Sequence, residues 1–320
     1  MVVLHTIKER AMSFKNLRLY TVDLSNNSEL KNIFANETLL EECIASCKFR
    51  KTMEQEMSTC GFAPLFGRHT DAFTFSSNHN HFFRFVEENK LLPSTIIKEA
   101  FLDEVDRKEN ELNRALKKDE KQALKLALTN KMMAQAFVTR RELFVWVNSL
   151  YGFVGVSATS AKRAESAITV LRKALHGSFP AKPLQPRCVV EDRLTSFIAK
   201  GDLPQDFKLG YDCVLKSTDD TGATVRASKE DLTCKEINSH IEAGKRVTEV
   251  QLDFVENAQF VITSELAIKR ITLDDQYLER SLPQKTDDKI ADMQSYMLVE
   301  SDVLTAIFDK VMKAFDCVTN

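Results

Sequence analysis

The residues in this chain best placed to do chemistry are lysines and arginines in rows. Arg114, Lys117, Lys118, Lys121 and Lys125 form one set. On a continuous α-helix they fall within about 100° of arc, with Leu112, Leu116, Ala123, Leu126 and Ala127 on the opposite side. Lys162, Arg163, Arg172 and Lys173 form a second set, in which Glu165 is the only acid from Thr159 to His176. Arg140 and Arg141 stand between the two. Rows of fixed cations neutralise phosphates and release counterions, and this contact reads no bases. Lysine-bearing helix faces are also ordinary solvated surface. Two such sets flanking one apolar hairpin are what point to a polyanion.

Other chemistry is thin. The phosphate-cradling pattern G-x-x-x-x-G-K-[ST] is missing, and no nucleophile elbow is present. His79-x-His81 places two imidazoles on one side of a strand, but no third ligand follows at metal spacing, so exposed edge histidines are expected. Asp119-Glu120-Lys121 has the residue types of a nuclease cluster, yet it falls in a helical stretch where solvation is expected. Cys43 and Cys47 share a helix face without a nearby histidine in sequence. No cofactor and no metal are expected.

Leu143-Phe-Val-Trp-Val147 and Phe153-Val-Gly-Val156 read as two strands apolar on both faces, hence mid-sheet with cover on each side, and Trp146 is a core residue. Ser160 caps a helix running to about His176, stopped by Gly177, with Ala164, Ile168, Leu171 and Leu175 as its buried stripe. Lys162, Arg172 and Lys173 point away from that stripe and Arg163 flanks it. Upstream, a strand is expected over Phe14–Val22, a helix from Glu29 to about Met57, and a strand over Thr59–Phe66. Strands at 72–76 and 81–86 form a hairpin around Ser77–Asn80. Pro93 and Ser94 open a helical region to about Gln135. It is either continuous, keeping the cationic stripe whole, or broken at Asp119, where a capping box with Gln122 starts a new helix. Phe137 is either an interface anchor in a basic connector or a plain core phenylalanine.

Gly177–Pro186 holds three prolines and marks a boundary or crossing loop. Beyond it come a helix at Leu194–Lys200, a hairpin around 219–222, a helix at Thr233–Ala243, a three-stranded meander over Val247–Leu273 and a last helix at Ser301–Phe315. These elements make an α+β fold with mixed or antiparallel sheets and flanking helices in several subdomains. An N-terminal region covers 12–180, a C-terminal region 187–320, and residues 1–11 read as an extension.

The 320 residues are enough for a sizeable core, and 43% hydrophobic with 28% charged residues fits a globular chain. No apolar run approaches a membrane span, and the first ten residues lack the order of a signal peptide. Seven scattered cysteines without a CxxC pair are expected to be reduced thiols in the cytoplasm. A net charge of −2 excludes a uniformly basic binder, but Arg107–Lys173 carries 14 Lys and Arg against 6 Asp and Glu, a net of +8. The rest of the chain then stands at −10, and such segregation suits a localised polyanion site.

Several stretches taken in order resemble the RdgC family of recombination-associated proteins. They are Phe14-Lys-Asn-Leu17, Gly67-Arg-His-Thr-Asp-Ala72, Lys90-Leu-Leu-Pro93, Ser160-Ala-Lys-Arg-Ala-Glu165 with Leu171-Arg-Lys173, and Ser239-His-Ile-Glu-Ala-Gly-Lys245 with Ile268-Lys-Arg-Ile271. The resemblance runs from about Met12 to the C-terminus. It implies an α+β homodimer closed into a ring, with DNA, single- or double-stranded, held in a positively lined hole without sequence preference. It also implies restraint of the recombinase RecA and a place at the nucleoid. Phe137 matches a family aromatic near one subunit contact, and Lys229 with Glu230 falls near another. Ser228 and Glu230 stand where other members are more basic. The family has also been labelled an exonuclease. A metal-dependent exonuclease and a protein-interaction adaptor are the alternatives.

Overall fold

In the computed structural model the described residues are 14–24, 26–219 and 222–318. The expected extension at 1–11 and the two central residues of the 219–222 turn lie outside them.

Two apolar strands set the middle of the N-terminal half. β5 (Phe137–Asn148) and β6 (Phe153–Val156) pair antiparallel, with Val145 opposite Val156 and Trp146 opposite Gly155. β4 (Asn80–Leu91) flanks β5, and β1 (Asn16–Val22) flanks β6. β2 (Ser58–Ala63) and β3 (Thr74–Ser77) both pair with β4, and β7 (Ala181–Pro183), inside the proline-rich loop, pairs with β1. Alternation along each strand divides the side chains between two cores. Tyr20, Val22, Phe83, Phe85, Val145, Val147, Val154 and Val156 meet α1 (Ser28–Ala35), α2 (Glu37–Ser46) and α5 (Ala161–Ala174). Leu17, Leu19, Phe82, Trp146 and Phe153 face the other way, towards α9 (Lys289–Ala314). There Phe153 stacks on Phe308 at 4.1 Å between ring centroids. A side chain at Gly155 would collide with Leu17 and Trp146, so the packing of β1 on this hairpin requires glycine.

The C-terminal half continues the same strand path. β8 (Phe207–Ser217), β9 (Thr224–Ala227), β10 (Lys245–Phe254), β11 (Ala258–Thr263) and β12 (Ile268–Leu273) are all antiparallel neighbours. Their buried face packs on α6 (Val190–Ala199), α7 (Lys235–Glu242) and α9, with the short α8 (Asp275–Ser281) joining β12 to α9. The two halves join where β1 pairs with β12, through Asn16 opposite Lys269 and Leu17 opposite Ile268. One apolar cluster draws on both halves, from Phe14 to Cys317.

Several expectations need correction. The helix expected over 29–57 is two helices, because Asn36 ends α1 and its side chain caps α2 through the Thr38 and Leu39 N–H groups; 47–57 is mostly irregular. β4 and β5 run further than the apolar strands alone, since the polar stretches 87–91 and 137–141 pair with each other. The last helix starts at Lys289, capped by Asp288, a full three turns before Ser301. His81 is not an exposed edge histidine. It is buried at 4% exposure, with its ring between Ser76 Oγ at 2.8 Å and Ser149 Oγ at 3.1 Å. His79 sits in the β3–β4 turn at φ +62.

Candidate nucleic-acid interface

The first cationic set sits on an arm. Beyond the body, the β4–β5 ribbon leads into α3 (Ser94–Leu112) and α4 (Lys118–Gln135), which pack as an antiparallel helical pair around Val105, Leu116 and Leu124. The helix is broken rather than continuous. Asn113, at φ +48, ends α3 in the left-handed region that asparagine tolerates. The new helix is fixed by Glu120, whose carboxylate accepts the Lys117 N–H at 2.8 Å. The expected cap at Asp119 is thus displaced by two residues, and Arg114 lies off the helix that carries Lys118, Lys121 and Lys125.

The arm also supplies its own counter-charges. Arg114 pairs with Glu120 at 2.7 Å and Lys121 with Glu109 of α3 at 2.9 Å. Arg114 is the first cause holding the Glu120 carboxyl down at about 2. Lys117, Lys118 and Lys125 have no carboxylate within 4 Å. Half-exposed pairs of this kind contribute about 0–1 kcal/mol each, so a phosphate can take the place of either carboxylate. In Asp119-Glu120-Lys121 the second and third members are occupied by Arg114 and Glu109, and the triplet does not converge on one point.

Arg140 and Arg141 open β5. Arg140 does structural work: it pairs with Glu88 at 3.0 Å and lies over the Phe49 ring at 4.9 Å. Glu88 is itself buried. Desolvation pushes its carboxyl up, but the Thr52 N–H and hydroxyl, with Arg140, bring it below the ordinary range. Arg141 is exposed opposite Glu87 without forming an ion pair.

The second set rides on α5, whose buried stripe is as expected: Ala164, Ile168, Leu171 and Leu175 are all fully buried. Ser160 occupies the cap position without a side-chain cap bond, and the helix stops at His176, φ +56, followed by Gly177. Lys162 and Lys173 are exposed, and Arg163 is half-buried. Arg172 does not point to solvent. Its guanidinium donates to the Phe179 carbonyl at 3.2 Å and the Ala181 carbonyl at 2.7 Å, tying the crossing loop to the helix. Lys162 and Lys173 lie eleven residues apart, about 16 Å along the axis, at opposite ends of α5. The eleven expected residues therefore form several local patches and not one.

Sequence reasoning missed two members of the patch at Lys162. Arg18 of β1 and Lys216 of β8 border the same groove, together with Lys269, which had been read only as a basic residue of uncertain direction. Arg18 follows Leu17 on the buried face, so strand alternation was the available signal.

The subunit-contact candidates are exposed. Phe137 is 84% exposed at the start of β5, which overturns its reading as a core residue. Leu91, Ile96, Leu102, Leu112, Leu126 and Val138 are exposed on the same arm. Lys229, at φ +57, and Glu230 follow β9; Asp212 accepts the Lys229 N–H and the Ser228 hydroxyl and pairs with Arg270 at 2.9 Å.

A possible nucleophile outside these patches is quiet. Cys43 Sγ lies 3.9 Å from His176 Nε2, whose Nδ1 meets Glu29 at 3.0 Å, the order of a thiol triad. Burial pushes the Cys43 thiol up, with Glu42 and Glu29 adding, which is opposite to activation. Among the described residues no group of three or more His, Cys, Asp and Glu is placed to hold a metal ion, and no helix is long and apolar enough to cross a membrane.

Comparison with known proteins gives the family. Residues 12–318 match the family described as "Putative exonuclease, RdgC". The chain is similar to the recombination-associated protein RdgC of Salmonella newport strain SL254, 31% identical over 300 residues, 94% of this chain and 96% of the relative. The proteins of the same name from Salmonella typhimurium strain LT2 and Salmonella typhi match at the same identity and coverage. The α+β fold, the antiparallel sheet and the collinear motifs thus belong to one lineage, and this chain is a member of the RdgC family.

Proposed function

We propose that the chain binds DNA, single- or double-stranded, without sequence preference, closes around it as a ring-shaped homodimer, and restrains RecA-dependent recombination at the nucleoid in the cytoplasm. The observation that carries the reading is the set of cations left without carboxylate partners: Lys117, Lys118, Lys125, Arg141, Lys162, Arg163 and Lys173. They come from three separate elements in a chain that is acidic overall, as a phosphate-tracking surface requires. The homodimer rests on the arm, where an exposed aromatic among exposed aliphatics has the makeup of an interface core. Sequence independence follows from the contacts available, since phosphate contacts position a protein on DNA and carry no base information.

The test is binding to duplexes of unrelated sequence over a salt series. Reversing charge with Lys118→Glu/Lys125→Glu should weaken all of them alike by about tenfold or more at moderate salt. Unchanged affinity would remove the arm from the interface. A metal-dependent exonuclease is the second reading, favoured by the description of the matched family. Sustained digestion of labelled DNA by pure protein with Mg²⁺ or Mn²⁺ would establish it over binding alone.

A further inference from the structure

A groove of about 510 Å³ runs between the first turn of α5 and the ends of β8, β10, β11 and β12. Cations reach it from both halves of the chain: Arg18 and Lys162 from one, Lys216 and Lys269 from the other. Two carboxylates share it, Glu249 and Glu265, leaving a formal excess of two positive charges. Each carboxylate is matched to one cation. Glu249 pairs with Lys269 at 3.0 Å and Glu265 with Arg18 at 2.5 Å. Lys162 and Lys216 have no carboxylate partner.

Arg18 is the fixed point. Its side chain is only 14% exposed, and its Nε–H donates to the Thr159 carbonyl at 2.9 Å, which sets the plane of the guanidinium. Glu265 is far looser. It stands in the β11–β12 turn with its side chain 69% exposed, so its grip on Arg18 is that of a surface ion pair. The Arg18 guanidinium, with Lys269 and Lys216 adding, holds the Glu265 carboxyl below the ordinary range. An oxyanion thus already occupies the guanidinium, delivered by a mobile-type side chain rather than a buried one. Arg is suited to such exchange because its planar fork fits carboxylate and phosphate alike.

We propose that this groove seats one phosphate of a DNA backbone, with Lys162 and Lys216 on its oxygens and Arg18 exchanging Glu265 for it. The proposal rests on the DNA-binding reading above and adds the seat. It also gives the seat a mechanical role. The halves meet here through two backbone register pairs of β1 and β12, and a phosphate held from both sides ties the seam.

The test measures binding of a labelled mixed-sequence duplex over a salt series, with every variant first checked for an unchanged melt. Lys162→Ala/Lys216→Ala should weaken binding by about tenfold and make the slope of log affinity against log salt shallower by about 1.8. Lys162→Arg/Lys216→Arg should restore both. Glu265→Gln should tighten binding several-fold, and by more than Glu279→Gln, which removes the same charge from an exposed site elsewhere. Unchanged affinity and slope in the alanine pair, while Lys118→Ala/Lys125→Ala lowers both, would overturn the seat and leave the DNA reading standing. If the wild type fails to bind duplex even at low salt, both fall. A melting rise in inorganic phosphate over chloride of equal ionic strength, lost in the alanine pair without change in DNA affinity, would assign the groove to a free anion and overturn the DNA seat.

Discussion

The arm and the body of this molecule are built to different standards. In the body, each face of the central sheet has its own extensive core, and Trp146, Phe153, Val145 and Ile168 are fully buried. In the arm, three buried residues hold two helices of 19 and 18 residues together. Seven of the thirteen large hydrophobics exposed among the described residues lie between Leu91 and Val138. The arm is therefore under-packed by itself, and apolar surface that a monomer leaves bare there suits a second subunit. Its ion pairs teach the same lesson. They link α3 to α4 on exposed surface, where they contribute little, whereas the body's polar contacts, such as Glu300 accepting the Phe14 N–H at 3.0 Å, are buried.

The contrast can be broken most sharply by truncating one core residue in each region. Phe153→Ala should cost about 3–5 kcal/mol of global stability, read as a shifted urea midpoint. Leu124→Ala should instead raise hydrogen exchange through α3 and α4 and leave the body's transition in place. Equal shifts of one common transition would show that arm and body fold as a unit.

The next effect is confined to the body and depends on pH. Burial, with His79 adding, holds the His81 imidazole down at about 4, against about 6.5 in an unfolded chain. Between those values the unfolded state binds more protons, so stability is full above pH 6.5 and is lost as pH falls towards 4. The whole span corresponds to about 3 kcal/mol. His81→Gln should flatten that dependence in chemical-denaturation series, whatever its absolute stability. An unchanged slope would mean that His81 is not the group responsible.

Smallest in stability, and most telling about assembly, is Phe137→Ala. An exposed side chain contributes within about 0.5 kcal/mol to the fold, so the melt should stay where it is. Sedimentation should show a weaker dimer. A variant that melts early but associates normally would make Phe137 a packing residue after all.

The body was largely legible in the sequence because its signals are periodic. The two apolar strands, the stripe of α5 and the β10–β12 meander all repeat at the spacing that burial imposes. The arm was less so. Whether the helix broke between Leu112 and Lys118 depended on one asparagine adopting a left-handed conformation and on Glu120 reaching back to Lys117, neither of which periodicity reports. The binding patches were legible as residue types only. Arg140 and Arg172 look like free cations in sequence, yet Glu88 and two loop carbonyls claim them through contacts made only on folding. Arg18 and Lys216 failed to register for the opposite reason, since each is a single polar residue on a strand whose direction the fold alone sets.

The most direct test of DNA encirclement compares residence on covalently closed plasmid with residence on the same plasmid cut once, under matched salt. A closed dimer should leave the circle slowly and the linear form much faster by sliding off its ends, and Phe137→Ala should narrow the difference. Equal residence times on both forms of the plasmid would contradict encirclement.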